Sequence, residues 1–144
     1  MTEVWFYISE DSRPDARARL LQRLIERALP ANRQLYLQSS DSDQARKVDD
    51  WLWQESGFIP HGLAGEEYSQ LQPVVIGSGD SAGEHSDILV NLDQRIPPHI
   101  DQFKRIIELV AGPEDQRQSA RDRWKSYRDR GYPVTKHELP REPV

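Results

Sequence analysis

Five side chains towards the C-terminal end of this 144-residue chain could act together: Arg117, Arg121, Trp124, Lys125 and Arg128. Their spacing of i, i+4, i+7, i+8 and i+11 puts them on one face of an α-helix. Guanidinium forks and an ammonium along such a stripe bind carboxylates or phosphates, and an indole beside them packs an apolar or aromatic group. From Arg117 to Arg130 six basic residues stand against Asp122 and Asp129, a local +4, while the whole chain carries −5 and the remainder therefore −9. Three readings compete. The arginines solvate a surface helix and pair with nearby acids; or Trp124 or Tyr127 stacks a base of a single-stranded nucleic acid while the cations follow its phosphates; or the stripe holds an acidic peptide. The negative remainder repels a long polyanion and tolerates a short local one, which favours the peptide.

Catalytic chemistry has less support. His61, His85, His99 and His137 are scattered, with no i, i+4 pair and no carboxylate at ligand spacing, and there is no cysteine, so no metal site is expected. His85, Ser86 and Asp87 are consecutive, and neighbours on a strand point to opposite faces, so they cannot form a nucleophile relay. The adjacent acids Asp49 with Asp50 and Glu66 with Glu67 diverge in the same way. Gly77, Gly79 and Gly83 follow a strand-like segment, but no lysine completes a phosphate loop and "EHSDILV" reads as a strand where a dinucleotide fingerprint needs a helix. No catalytic residue and no cofactor is expected.

The elements that must position the stripe follow from periodicity. "VWFYI" reads as a first strand, followed by a helix carrying Leu20, Leu21, Leu24, Ile25 and Ala28 between arginines, ended by Pro30 and Asn32. "QLYLQ" reads as a second strand, and "SSDSD" caps a helix burying Ala45, Val48 and Leu52. "GFIPHGLAGEE" reads as an irregular connection. "QPVVIG" and "DILVNL" are third and fourth strands, joined through residues 78–86 by a hairpin-like or disordered loop. "FKRIIELV" supplies a fifth strand ending at Val110. Pro113, Glu114 and Asp115 open the basic helix and Gly131 closes it. The order predicts a single α/β domain over 1–131, a mostly parallel five-stranded sheet flanked by helices, with 132–144 as a proline-containing C-terminal tail.

"DDWLWQESGF" places more aromatics at a helix end than a core can take. Trp51 and Leu52 serve the core, which leaves Trp53 and Phe58 as a partly exposed pair suited to a partner, against the alternative that a loop covers them. The apolar fraction of 36% and charged fraction of 30% suit a heavily charged surface, and no apolar run approaches the ~20 residues of a membrane span. The N-terminus lacks the pattern of a signal peptide, so a cytoplasmic location is expected.

"FYI", "DDWLW", "FIPHGLAGE", "DILVNL" and "ARDRWKSYRDRGY", in this order and at these separations, resemble the chi subunits of bacterial DNA polymerase III. The resemblance spans nearly the whole chain, and "FIPHGLAGE" and "ARDRWKSYRDRGY" are its specific parts. It implies a Rossmann-like fold without a nucleotide-binding loop, in a non-catalytic accessory subunit of the clamp-loader complex acting in DNA replication. It also implies two partners: the psi subunit, and the acidic, phenylalanine-ended C-terminal tail of single-stranded-DNA-binding protein. The family's tail-binding positions match Val110, Arg117, Arg121, Trp124 and Lys125, with Arg128 continuing the stripe. Its surface for psi, or for a helicase-like competitor, matches Trp53 and Phe58. The alternative is a direct single-stranded nucleic-acid binder that uses the basic helix.

Overall fold

The computed structural model describes residues 2–55, 60–66, 72–79, 83 and 85–139. In chain order the strands are β1 (Glu3–Ser9), β2 (Leu35–Gln38), β3 (His61–Leu63), β4 (Val74–Gly77), β5 (Ile88–Asn91), β6 (Arg105–Val110) and β7 (Val134–Leu139). The helices are α1 (Ala16–Ala28), α2 (Ser42–Glu55) and α3 (Glu114–Asp129), with one 3-10 turn at Ile100–Gln102. The strands form one sheet in the order β3-β4-β2-β5-β6-β1-β7, and every pairing is parallel. The α/β class with a parallel sheet is as the sequence predicts.

The sheet has seven strands, not five. β3 lies inside the segment read as an irregular connection and pairs with β4. β7 forms from residues read as tail and pairs with β1 along its whole length, so the sheet continues past residue 131. The hairpin-like reading of 78–86 is also corrected: β4 and β5 do not pair but flank β2, both parallel to it, so the connection crosses over.

Alternation in the strands feeds two apolar layers. One face of the sheet buries Leu35, Leu37, Val90, Ile107 and Leu109 under Leu20, Leu21 and Ile25 of α1 and Ala45 and Leu52 of α2. The other buries Val4, Phe6, Leu89 and Ile106 under Ala120 and Tyr127 of α3. Asp41 immediately precedes helix α2 and its Oδ1 accepts from the Gln44 N–H at 2.8 Å, while Gln44 Oε1 accepts from the Ser40 N–H at 2.6 Å. These reciprocal bonds satisfy amides that the helix leaves without partners.

Helix α3 is held at both ends. At its start Gly112 (φ 89°) lets the chain turn out of β6, and its N–H donates to the Asp11 carbonyl at 2.9 Å, tying this turn to the β1–α1 loop. At its end Gly131 (φ 88°) takes the left-handed position, with Tyr132 N–H on the Tyr127 carbonyl and Gly131 N–H on the Arg128 carbonyl. This closing motif redirects the chain straight into β7.

Candidate protein-binding site

Helix α3 lies over the sheet where β6, β1 and β7 run side by side, and the register decides what it meets. Phe6 pairs with Glu108 on one side and Lys136 on the other, and Ile8 likewise with Val110 and Glu138. Parallel partners face the same way, so these two rows form the floor beneath α3.

A buried polar cluster fixes α3 to this floor. Glu108 has no exposed surface, and its Oε1 accepts from Arg123 Nε at 3.0 Å. Its Oε2 accepts from Asn91 Nδ2 at 2.8 Å and from the Tyr127 hydroxyl at 2.7 Å. Arg123 also donates to the Gln94 carbonyl and to Ser119 Oγ. Burial pushes the Glu108 carboxyl up, opposed by the Arg123 charge and the three hydrogen bonds. Burial and the neighbouring carboxylate push the Tyr127 phenol well up, so it remains a donor. Sequence reasoning counted Arg123 with the surface cations. The signal that could have placed it inside is Glu108 itself, an acid in the middle of the apolar strand "RIIELV", which needs a buried cation.

The remaining stripe is on the outside, and its members differ. Trp124 is half-buried, its indole edge-on to Phe6 with centroids 4.9 Å apart, and it joins the apolar layer that contains Val110 and Ile8. Arg117 is tied down: its Nε donates to the Gly112 carbonyl at 3.0 Å and its Nη2 to the carbonyls of Ser9 at 2.7 Å and Asp11 at 3.0 Å. It bridges the turns at the C-terminal ends of β1 and β6. Arg121 is exposed and donates to Glu114 Oε1 at 2.6 Å and Gln118 Oε1 at 3.1 Å, and this contact lowers the Glu114 carboxyl. Lys125 and Arg128 are exposed, with no salt bridge to any described residue. Lys136 adds a cation from β7 that sequence reasoning missed, its Nζ 5.9 Å from the Trp124 ring centroid. The geometry therefore joins Val110, Arg117, Arg121, Trp124, Lys125 and Arg128 in one surface: an apolar floor of Val110, Ile8 and Trp124 edged by cations from two elements.

Trp53 stands elsewhere, near the C-terminal end of α2. It is 56% exposed, the one large apolar side chain so exposed among the described residues. Its ring lies 4.6 Å from the buried His61 ring, and His61 Nε2 is 3.0 Å from Asp49 Oδ1. Burial raises the Asp49 carboxyl, with His61 acting against it. Phe58 lies outside the described residues.

The triplet considered for catalysis has structural partners. Asp87 takes two hydrogen bonds from Arg33, at 2.8 and 2.7 Å, and one from the Gln34 N–H at 3.0 Å, while His85 Nε2 is 3.1 Å from the Gln72 carbonyl. In open α/β sheets nucleotides bind beyond the carboxyl ends of the strands. There this chain has a cavity of about 260 Å³ lined by the carboxylates of Asp93 and Asp115 as well as by Arg17 and Arg123. Among the described residues no three or more His, Asp or Glu side chains converge to hold a metal ion, and no helix is long and apolar enough to cross a membrane.

Residues 1–135 match the family model described as "DNA polymerase III chi subunit, HolC". The chain is 41% identical over 143 residues to the DNA polymerase III subunit chi of Pseudomonas aeruginosa, covering 98% of this chain and 99% of that protein. It is 35% identical over 92 residues to the subunit chi of Haemophilus influenzae, covering 62% of this chain and 64% of that protein. It is 27% identical over 139 residues to the subunit chi of Escherichia coli, covering 92% of this chain and 95% of that protein.

Proposed function

This chain belongs to the DNA polymerase III chi subunit family, and from that premise we propose that it is a non-catalytic accessory subunit of the clamp-loader complex in DNA replication. It works in the cytoplasm and bridges the psi subunit and the acidic C-terminal tail of single-stranded-DNA-binding protein. The observation that carries the reading is the α3 surface, where an apolar floor with a half-buried indole is edged by cations. Such a surface reads a terminal aromatic ring and the acids before it together. The exposed Arg121 guanidinium already holds the carboxylate of Glu114, a contact that a tail carboxylate would replace. Arg117, with three donors committed to backbone carbonyls, shapes the rim and has its Nη1 left for the ligand. Trp53, exposed near the C-terminal end of α2, is with Phe58 the anchor for psi, and a helicase-like competitor would use the same surface.

The test is a fluorescence-anisotropy titration with a labelled acidic peptide ending in phenylalanine. Charge-assisted hydrogen bonds of about 1.5–3 kcal/mol each, less the ordering of a flexible tail, give a Kd in the micromolar range, near −8 kcal/mol. Affinity should fall as salt rises, on deletion of the last phenylalanine and in Arg121→Glu. If the truncated peptide binds as well as the full one, or Arg121→Glu binds like the wild type, the helix is a solvated face only. If a labelled oligonucleotide binds more tightly than the peptide, the chain is a direct single-strand binder.

A further inference from the structure

The opposite face of the sheet holds a second feature that the tail and psi readings leave unused. Between α1 and strands β1, β5 and β6 lies a cavity of about 200 Å³. Its walls are apolar, built from Leu20 and Leu24 of α1 with Ile88 and Ile107 of the sheet. Around them stand four arginines, Arg23 and Arg27 of α1, Arg33 just beyond it and Arg105 of β6, and no acidic residue among the described ones lines the space.

The four charges are unequally compensated. Arg33 is paired with Asp87. Arg105 lies 3.6 Å from the Trp5 ring centroid and reaches Glu3 at 3.5 Å. Arg23 and Arg27 have no salt bridge to a described residue, although Glu26 lies between them in sequence and accepts instead from Gln22 at 3.1 Å. The Nε atoms of both Arg23 and Arg105 are buried without a hydrogen-bond partner. A buried guanidinium donor left unmatched costs free energy that an anionic acceptor would offset. Two cations without an ion-pair partner among the described residues, lining an apolar space of about one ring's volume, therefore specify both halves of a ligand.

We propose that this α1 cavity is a binding site for a small organic anion: a single ring or short alkyl body seated among Leu20, Leu24, Ile88 and Ile107, with a carboxylate, sulfonate or phosphate monoester held by Arg23 and Arg27. The site is on the face away from α3, so it is independent of the proposed tail-binding surface.

The test uses the full chain with labelled isoleucine and leucine methyl groups and phenyl phosphate as the probe, followed by NMR. Phenyl phosphate should shift the Leu20, Leu24, Ile88 and Ile107 methyls in a saturable way. Inorganic phosphate, without the ring, and benzyl alcohol, without the charge, should each bind about tenfold more weakly or less. Arg23→Glu/Arg27→Glu should weaken phenyl phosphate by about tenfold or more through reversed charge. Ala31→Trp, at an exposed position on the cavity lining, should block entry while leaving the fold and the binding of the acidic tail peptide unchanged. The proposal fails if inorganic phosphate matches phenyl phosphate, if the shifts fall on α3 instead, or if either variant binds like the wild type. It fails equally if these methyls respond to the acidic peptide and not to phenyl phosphate, because the cavity then belongs to a protein partner.

Discussion

Replacing Glu108 by alanine should destabilise this protein more than any surface change on α3, and the reason can be worked through atom by atom. The substitution removes the acceptor of Arg123 Nε, Asn91 Nδ2 and the Tyr127 hydroxyl at once, in a place with no exposed surface. Breaking one side of a buried ion pair costs about 3–5 kcal/mol, because the remaining charge stays buried and uncompensated. That is a large share of the 5–15 kcal/mol typical of a folded domain. With a urea slope of about 1.5 kcal/mol per molar, the unfolding midpoint should drop by roughly 2–3 M. Urea titration read by tryptophan fluorescence measures this, with far-UV circular dichroism as a second probe. Glu108→Leu combined with Arg123→Met should recover part of the loss: the stranded charge is gone, Asn91 Nδ2 keeps the Arg95 carbonyl, and the neutral Tyr127 hydroxyl, Gln94 carbonyl and Ser119 Oγ lose these bonds, at about 1–3 kcal/mol for a buried group left without a partner. A loss below about 1 kcal/mol for Glu108→Ala, or a double variant as unstable as the single one, would refute the claim that this charge cluster fixes α3 to the sheet.

Three further outcomes are expected. Arg117→Ala should cost about 1–3 kcal/mol in urea unfolding, since the Ser9, Asp11 and Gly112 carbonyls lose one shared donor group, whereas the exposed Arg121→Glu should change stability by less than about 0.5 kcal/mol; equal effects would show that Arg117 does not bridge the two turns. The Arg33 hydrogen bonds hold the Asp87 carboxyl below the usual carboxylate range. Its folded pKa is thus lower than its unfolded value of about 3.9, so its contribution is present above that pH and lost as pH falls through the folded value. Arg33→Gln should therefore narrow the gap between urea midpoints at pH 7 and pH 3, and an unchanged gap would exclude the pairing as a source of acid sensitivity. Finally, a Cβ at Gly77 would collide with the ring and hydroxyl of the fully buried Tyr36, so Gly77→Ala should cost about 1–3 kcal/mol by thermal or urea unfolding, and a neutral variant would mean the ring can move aside.

The parts of this fold that were legible in sequence are those where local pattern and final burial agree. β1, β2, β4, β5 and β6 are short apolar runs buried within a parallel sheet, and α3 carries proline, acids and glycine at the places that its ends require. β3 was hidden because three residues, His61, Gly62 and Leu63, are too few to show alternation, and they sit among glycine and proline. β7 was hidden for the opposite reason. As an edge strand with exposed Thr135, Lys136 and Glu138 it needs little apolar character, and its pairing is imposed by β1. The site was half legible. Helical spacing collected the stripe, but it could not show that Arg123 turns inward, that Arg117 is committed to backbone carbonyls, or that Lys136 arrives from a distant strand. Those are facts of tertiary register, and only the acid within β6 hinted at one of them.

The position of β1 has a consequence for how the molecule comes into being. Of its two sheet neighbours, β7 is made about 130 residues after it and β6 about 100, so the aromatic strand leaves the ribosome with neither partner in existence. At a synthesis rate of about 5–20 residues per second that interval is roughly 5–20 s, during which Val4, Trp5, Phe6, Tyr7 and Ile8 have no native edge to join. The β2, β4 and β5 half of the sheet can assemble first, and β6 must then insert between it and the waiting β1. Newly made chains should therefore be most vulnerable to aggregation and to chaperone capture at the N-terminal strand, and arrest of translation just before β6 should lengthen that exposure.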